Sequence, residues 1–280
     1  MNTPRPRIKR APVVLAAAMA IGIDAAPVHA DPVSAHPQTV EIYSAGSLRG
    51  VVGELAKAAA ADFGIEIKAT FGGSGTLRER IEKGEKPDLL LSADLGSPRK
   101  LEAQGLTAVP AITFARNRMC IVSRPAAQVT PSNLVDRMLA KETRVKTSTP
   151  VVDPSGDYAW AIFDRIDALH PGAGATLKAK ARMTTAASAG SSTGALFASG
   201  RIDMTITYCS GVANLRKEAH DLASFPVPSR LDPHPVDGMA VLSGRAQAMR
   251  VALLLLSEKG QAMIARQGLV PVSGPPEPRT

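Results

Sequence analysis

From Thr39 onward the chain alternates short apolar runs with helical stretches, and most runs end in small residues. That order is the mark of an α/β protein. Val40-Glu41-Ile42-Tyr43 alternates with the period of a strand and stops at Ser44-Ala45-Gly46-Ser47. Leu48, Val51, Val52, Leu55 and Ala59 then recur at helical spacing until Phe63-Gly64. Residues 65–71 predict a second strand, closed by Gly72-Gly73-Ser74-Gly75, and a helix follows from Thr76 to Gly84. Residues 88–92 are expected to form a third strand around the apolar run Leu89-Leu90-Leu91, as in a strand buried on both faces. Ser97-Pro98 opens another helix, with proline at a position where its missing N–H costs nothing. Three strands each followed by a helix predict a largely parallel sheet with right-handed crossovers.

The remainder continues in the same style. Strands are expected at 119–122, 204–208 and 239–242, with 145–152 extended. Helices are expected over 133–140, 158–168 and 246–267, and one opens at Gly190-Ser191-Ser192-Thr193-Gly194 and ends at Gly200. No internal repeat is present.

The first thirty residues belong to a different logic. Arg5, Arg7, Lys9 and Arg10 precede an apolar stretch from Ala11 to Ile23, and Val28-His29-Ala30 supplies small residues at the −3 and −1 positions. This predicts a signal peptide over 1–30 with cleavage after Ala30, and export to the periplasm. The apolar stretch is shorter than the roughly 18 residues of a membrane span. The net charge of +8 therefore loses four of its cations, with Asp24, when the signal leaves. The remaining Lys and Arg are dispersed, and six Phe, three Tyr and one Trp give no stacking surface. Nucleic-acid binding is not expected. Cys120 and Cys209 remain in the exported part, where they either bridge or pack as buried thiols.

Chemistry concentrates at the junctions. At Ser47, Ser74, Asp157 and Ser191 an extended segment gives way to a helix through small residues. Each junction presents backbone N–H groups and the positive end of a helix dipole. Several converging on one cleft make an anion site that needs no lysine or arginine. A competing motif is Gly190-Ser191-Ser192-Thr193-Gly194, which matches the nucleophile elbow of serine hydrolases with Ser192 as nucleophile and Asp232 and His234 in chain order. That motif requires a hydrophobic strand before it, whereas residues 184–189 read Thr-Thr-Ala-Ala-Ser-Ala. Gly72-Gly73-Ser74-Gly75-Thr76 lacks the ending of a nucleotide phosphate loop. The five histidines show no metal-ligand spacing, and no cofactor is expected.

Tyr43-Ser44-Ala45-Gly46-Ser47-Leu48, Phe71-Gly72-Gly73-Ser74-Gly75-Thr76-Leu77 and Pro87-Asp88-Leu89-Leu90-Leu91-Ser92-Ala93-Asp94 stand in an order and spacing that resemble the periplasmic molybdate-binding proteins of ABC transporters. Asn117 to Val122, Val152-Asp153-Pro154, Ile206-Thr207-Tyr208 and Ser257 to Ala262 extend the likeness over nearly the whole exported chain. The resemblance implies a two-lobed periplasmic-binding-protein-like α/β fold, each lobe a largely parallel sheet flanked by helices, with two hinge crossovers. It implies lobes at 39–115 with 226–275 and at 116–225. It implies no enzyme but a monomeric carrier that takes molybdate, tungstate or a similar oxyanion to a membrane permease. Its ligand set carries over to the hydroxyls of Ser47, Ser74 and Tyr208 and to amides near Gly156 and Ser191. In such a fold Cys120 and Cys209 lie on neighbouring strands that link the lobes, which favours the bridge. The turn after Pro154 departs from the resemblance by carrying Asp157. A carboxylate 4 Å from an anion is repelled by about 4 kcal/mol per unit-charge pair. Either Asp157 caps the helix and points away, or the ligand is not a simple oxyanion. Tungstate binders of the same superfamily are similar in placing carboxylates near the metal centre.

Overall fold

The computed structural model describes Met1 and residues 38–273; the expected signal peptide and its cleavage point lie outside them. The chain begins with β1 (Gln38–Ala45), α1 (Arg49–Phe63), β2 (Ile65–Gly72), α2 (Ser74–Glu82), β3 (Leu89–Ser92), α3 (Gly96–Ala103) and β4 (Ile112–Arg116). It then crosses to β5 (Met119–Ser123), α4 (Leu134–Leu139), β6 (Val145–Lys146), α5 (Pro154–Leu169), α6 (Ala173–Ala187), α7 (Thr193–Ala198), β7 (Met204–Tyr208), α8 (Val212–Glu218) and β8 (Ala223–Pro226). It returns through β9 (Val236–Val241), α9 (Ala246–Leu256), α10 (Glu258–Arg266) and β10 (Val270–Pro271).

These elements build two sheets flanked by helices, the two-lobed α/β architecture expected. One sheet has the order β10-β4-β9-β3-β1-β2 and the other β6-β7-β5-β8. The expectation of largely parallel sheets is corrected. Parallel pairing is confined to β2-β1-β3 and β6-β7, and every other pair is antiparallel. The reason is topological: β9 re-enters the first sheet between β3 and β4, running against both.

Local chemistry explains most boundaries. Gly64 adopts φ 63° and its N–H closes α1 on the carbonyls of Ala59 and Ala60. All four residues of β3 are buried, because helices cover both faces of its sheet. The expected long helix over 246–267 is two. Ser257 ends α9 and caps α10, its Oγ accepting from the Gly260 N–H. Gly260 allows the sharp corner, since a Cβ there would stand 2.2 Å from the Leu254 carbonyl.

Cys120 on β5 and Cys209 just after β7 form a disulfide. The bridge borders a small core of Val122, Leu196, Phe197, Ile202, Val212 and Leu222 on one face of the second sheet. Among the described residues no helix is long and apolar enough to cross a membrane.

Candidate functional site

The ends of β1 and β2 face the second lobe across a cavity of about 340 Å³. Ala45, Gly46, Ser47, Gly72 and Gly73 line one side. Ser148, Asp153, Ser155, Thr207, Tyr208, Gly211 and Asn214 line the other. Ser47 sits on a single 3₁₀ turn, Gly46–Leu48, between β1 and α1. Ser155 is the second residue of α5, whose entry is set by Asp153 as N-cap and Pro154 at the first helical position. The Asp153 carboxylate accepts from the Ser155 N–H at 3.0 Å.

The Oγ atoms of Ser47 and Ser155 are both sealed from solvent, and no protein group bonds either of them. A buried hydroxyl left without a partner costs about 1–3 kcal/mol. Two such groups lining one cavity from opposite lobes are donors without acceptors, which is what an anionic guest requires. Asp153 brings a negative charge to the same wall. Lys146 feels that charge: burial holds its ammonium below its usual range, and Asp153 draws it back up.

Ser74 and Tyr208 are already joined. The Ala93 N–H donates to Ser74 Oγ at 3.1 Å, and Tyr208 Oη donates to the Ala93 carbonyl at 3.1 Å. One peptide segment after β3 thus ties the start of α2 to the end of β7 across the lobes. Ser74 is fully buried behind the cavity rather than on its wall. Burial pushes the Tyr208 phenol well above its usual range, so it stays a neutral donor. Its ring meets Tyr158 edge-on, with centroids 6.1 Å apart.

The other sequence-selected residues stand elsewhere. The Gly156 N–H donates to the Asp153 carbonyl, and the Ser191 N–H donates to the Ser188 carbonyl. Neither residue lines the cavity. Gly156 is needed for close approach: a Cβ there would stand 2.5 Å from the Ser148 carbonyl. Asp157 lies in the first turn of α5 and accepts from the Val151 N–H at 2.9 Å. It lines a second space of about 530 Å³, together with Asp94, Lys100, Tyr158 and His234. Burial pushes the Asp157 carboxyl up, and the Val151 N–H and, more weakly, Lys100 oppose that, while Asp94 and Asp153 add to it. Sequence reasoning placed the start of α5 at Tyr158 and so missed Ser155. Asp153-Pro154, a capping residue followed by proline, is the signal that locates it.

The hydrolase alternative finds no support in the same geometry. Ser192 is the N-cap of α7, where its Oγ accepts from the Ala195 N–H and donates to Glu218. The segment before it is α6 and a turn, not a strand. Asp232 instead accepts from the His234 N–H in a local turn. Among the described residues no group of three His, Cys, Asp or Glu is placed to hold a metal ion.

Residues 40–270 match the family described as bacterial extracellular solute-binding protein. The uncharacterized protein PM1146 of Pasteurella multocida is 29% identical over 242 residues, covering 84% of this chain and 99% of that one. Among solved structures, the periplasmic molybdate-binding protein of Azotobacter vinelandii superposes with a TM-score of 0.64 at 18% identity, covering 84% of this chain and 100% of that one. The sulfate-binding protein SubI of Mycobacterium tuberculosis superposes with a TM-score of 0.68 at 16% identity, over 84% and 88%.

Proposed function

The chain belongs to the bacterial extracellular solute-binding proteins, and from that premise we propose that it captures molybdate, or a related oxyanion such as tungstate, in the cavity between its lobes. The observation that carries the reading is the pair of buried, unpartnered hydroxyls of Ser47 and Ser155 on opposite walls. Hydroxyl donors and helix N-termini replace the water of a dehydrated anion without committing a full positive charge. The cavity of about 340 Å³ lies at the small end of ligand sites, which run from roughly 300 to 1,000 Å³. Similarity to a molybdate binder and to a sulfate binder supports an oxyanion as the class.

In this reading residues 39–115 with 226–273, the described part of the expected 226–275 segment, form one lobe and 116–225 the other, and the two close on the anion about the crossovers near 117 and 227. Ser74 and Tyr208 hold the walls in register through Ala93, while Ser47 and Ser155 bind. The loaded protein is a periplasmic monomer that hands its cargo to the permease of an ABC transporter.

Calorimetric titration with molybdate, tungstate, sulfate and phosphate tests this directly. Binding of molybdate or tungstate in preference to phosphate is the expected result. Ser47→Ala and Ser155→Ala should each weaken it by roughly 10- to 100-fold, the worth of a hydrogen bond to a charged group. Failure of all four anions to bind refutes the oxyanion reading.

A further inference from the structure

Val151 adopts φ 70°, a left-handed backbone that a β-branched residue takes only when its surroundings hold it there. Two contacts do the holding. Its N–H donates to Asp157 at 2.9 Å. Its carbonyl lies so close to Gly75, on the opposite lobe, that a Cβ at that glycine would stand 1.9 Å from the oxygen. The neighbouring Val152 carbonyl meets Gly73 in the same way, at 2.3 Å from a Cβ built there. Val151 and Val152 are 67% and 48% exposed, so this segment is placed for its backbone and not for apolar burial. The two carbonyls pack against the N-cap Gly73 and against Gly75 in the first turn of α2, at the positive end of the helix dipole.

We propose that residues 151–152 form the latch that joins the closed lobes, and that Asp157 is its positioning residue rather than a ligand contact. Asp157 fixes the left-handed turn at Val151, the turn aims two carbonyls at α2, and the bare glycines let them seat. The carboxylate acts through the lifetime of the closed state, leaving anion choice to the cavity. This rests on the reading that closure traps an oxyanion.

Stopped-flow binding with molybdate as the probe gives the first readout. Asp157→Ala should raise the dissociation rate about tenfold while the association rate stays within about twofold. Adding Val151→Gly should restore slow dissociation, because glycine adopts that φ unaided. Gly75→Ala should also speed dissociation, and Val151→Gly should not rescue it. An Asp157→Ala variant that holds molybdate as long as the parent, or longer through lost repulsion, overturns the proposal, as does absence of rescue by Val151→Gly. Nitroxide labels at the exposed Lys57 and Ala168 give a second readout without ligand. The short interlobe distance should lose population in Asp157→Ala and regain it in the double variant. If molybdate does not bind the parent, the oxyanion reading falls while these distances still decide the latch: identical distributions in all three proteins refute it.

Discussion

Replacing Asp237 by Asn should make the protein more stable, and only above pH 4. Asp237 opens β9 beside Val236, is fully buried, and neither of its carboxylate oxygens has a partner. Burial foremost, and Asp94 in addition, push its carboxyl up from the ordinary value of 3.8 to about 7. Tyr158 on α5, pushed up to about 12, and Tyr208 on β7 both feel its charge. Native Asp237 therefore holds a proton that the unfolded chain releases. Between about pH 4 and 7 the native state binds more protons, so stability falls as pH rises through that window and levels off above it. At 1.36 kcal/mol for each tenfold in proton affinity, the full effect is about 4 kcal/mol. Asparagine keeps the shape and cannot ionise. Urea unfolding of parent and Asp237→Asn at pH 4, 5, 6, 7 and 8 isolates the effect, since all other titrations are shared. The difference should be small at pH 4 and approach about 4 kcal/mol at pH 8, or roughly 8–16 °C in Tm for a domain of this size. Parallel stability curves across that range would refute the argument.

Other expectations follow from single contacts. Reducing the Cys120–Cys209 disulfide, or replacing both residues by serine, should cost about 2–4 kcal/mol in chemical unfolding. Tyr208→Phe removes the bond to the Ala93 carbonyl and should lower stability by about 1–2 kcal/mol, read by thermal unfolding. Gly260→Ala should destabilise by more than about 1 kcal/mol, because the corner between α9 and α10 has no room for a methyl group. Ser192→Ala should cost about 1 kcal/mol as a lost cap and leave molybdate binding unchanged in calorimetry.

Strands buried on both faces, such as Leu89–Ser92, announce themselves in sequence, and so do helices with a terminal glycine such as α1. Strand direction was not legible, because β9 lies far down the chain from the β3 and β4 that it separates. The helix α6 escaped because its buried positions, Ala173, Gly174, Leu177 and Ala181, are mostly small and give a faint apolar period. At the site, Ser47 stood out as a strand end running into small residues, whereas Tyr208 came only from the family resemblance. Asp157 looked like a cap because the helix was started four residues late. Whether a junction's hydroxyl faces a cavity or its own backbone, the difference between Ser155 and Ser192, depends on partners brought from elsewhere in the fold.

The re-entry of β9 between β3 and β4 also sets the order of assembly. Until residues 236–241 have been synthesised, β2-β1-β3 ends in an open edge of buried-type residues, and β4 has no strand to join it to them. Closing that gap brings together segments separated by the whole second lobe, a pairing of high contact order and correspondingly slow. The chain thus remains unfinished until almost all of it exists. During that interval Leu89-Leu90-Leu91 is the stretch most in need of protection from other unfolded chains.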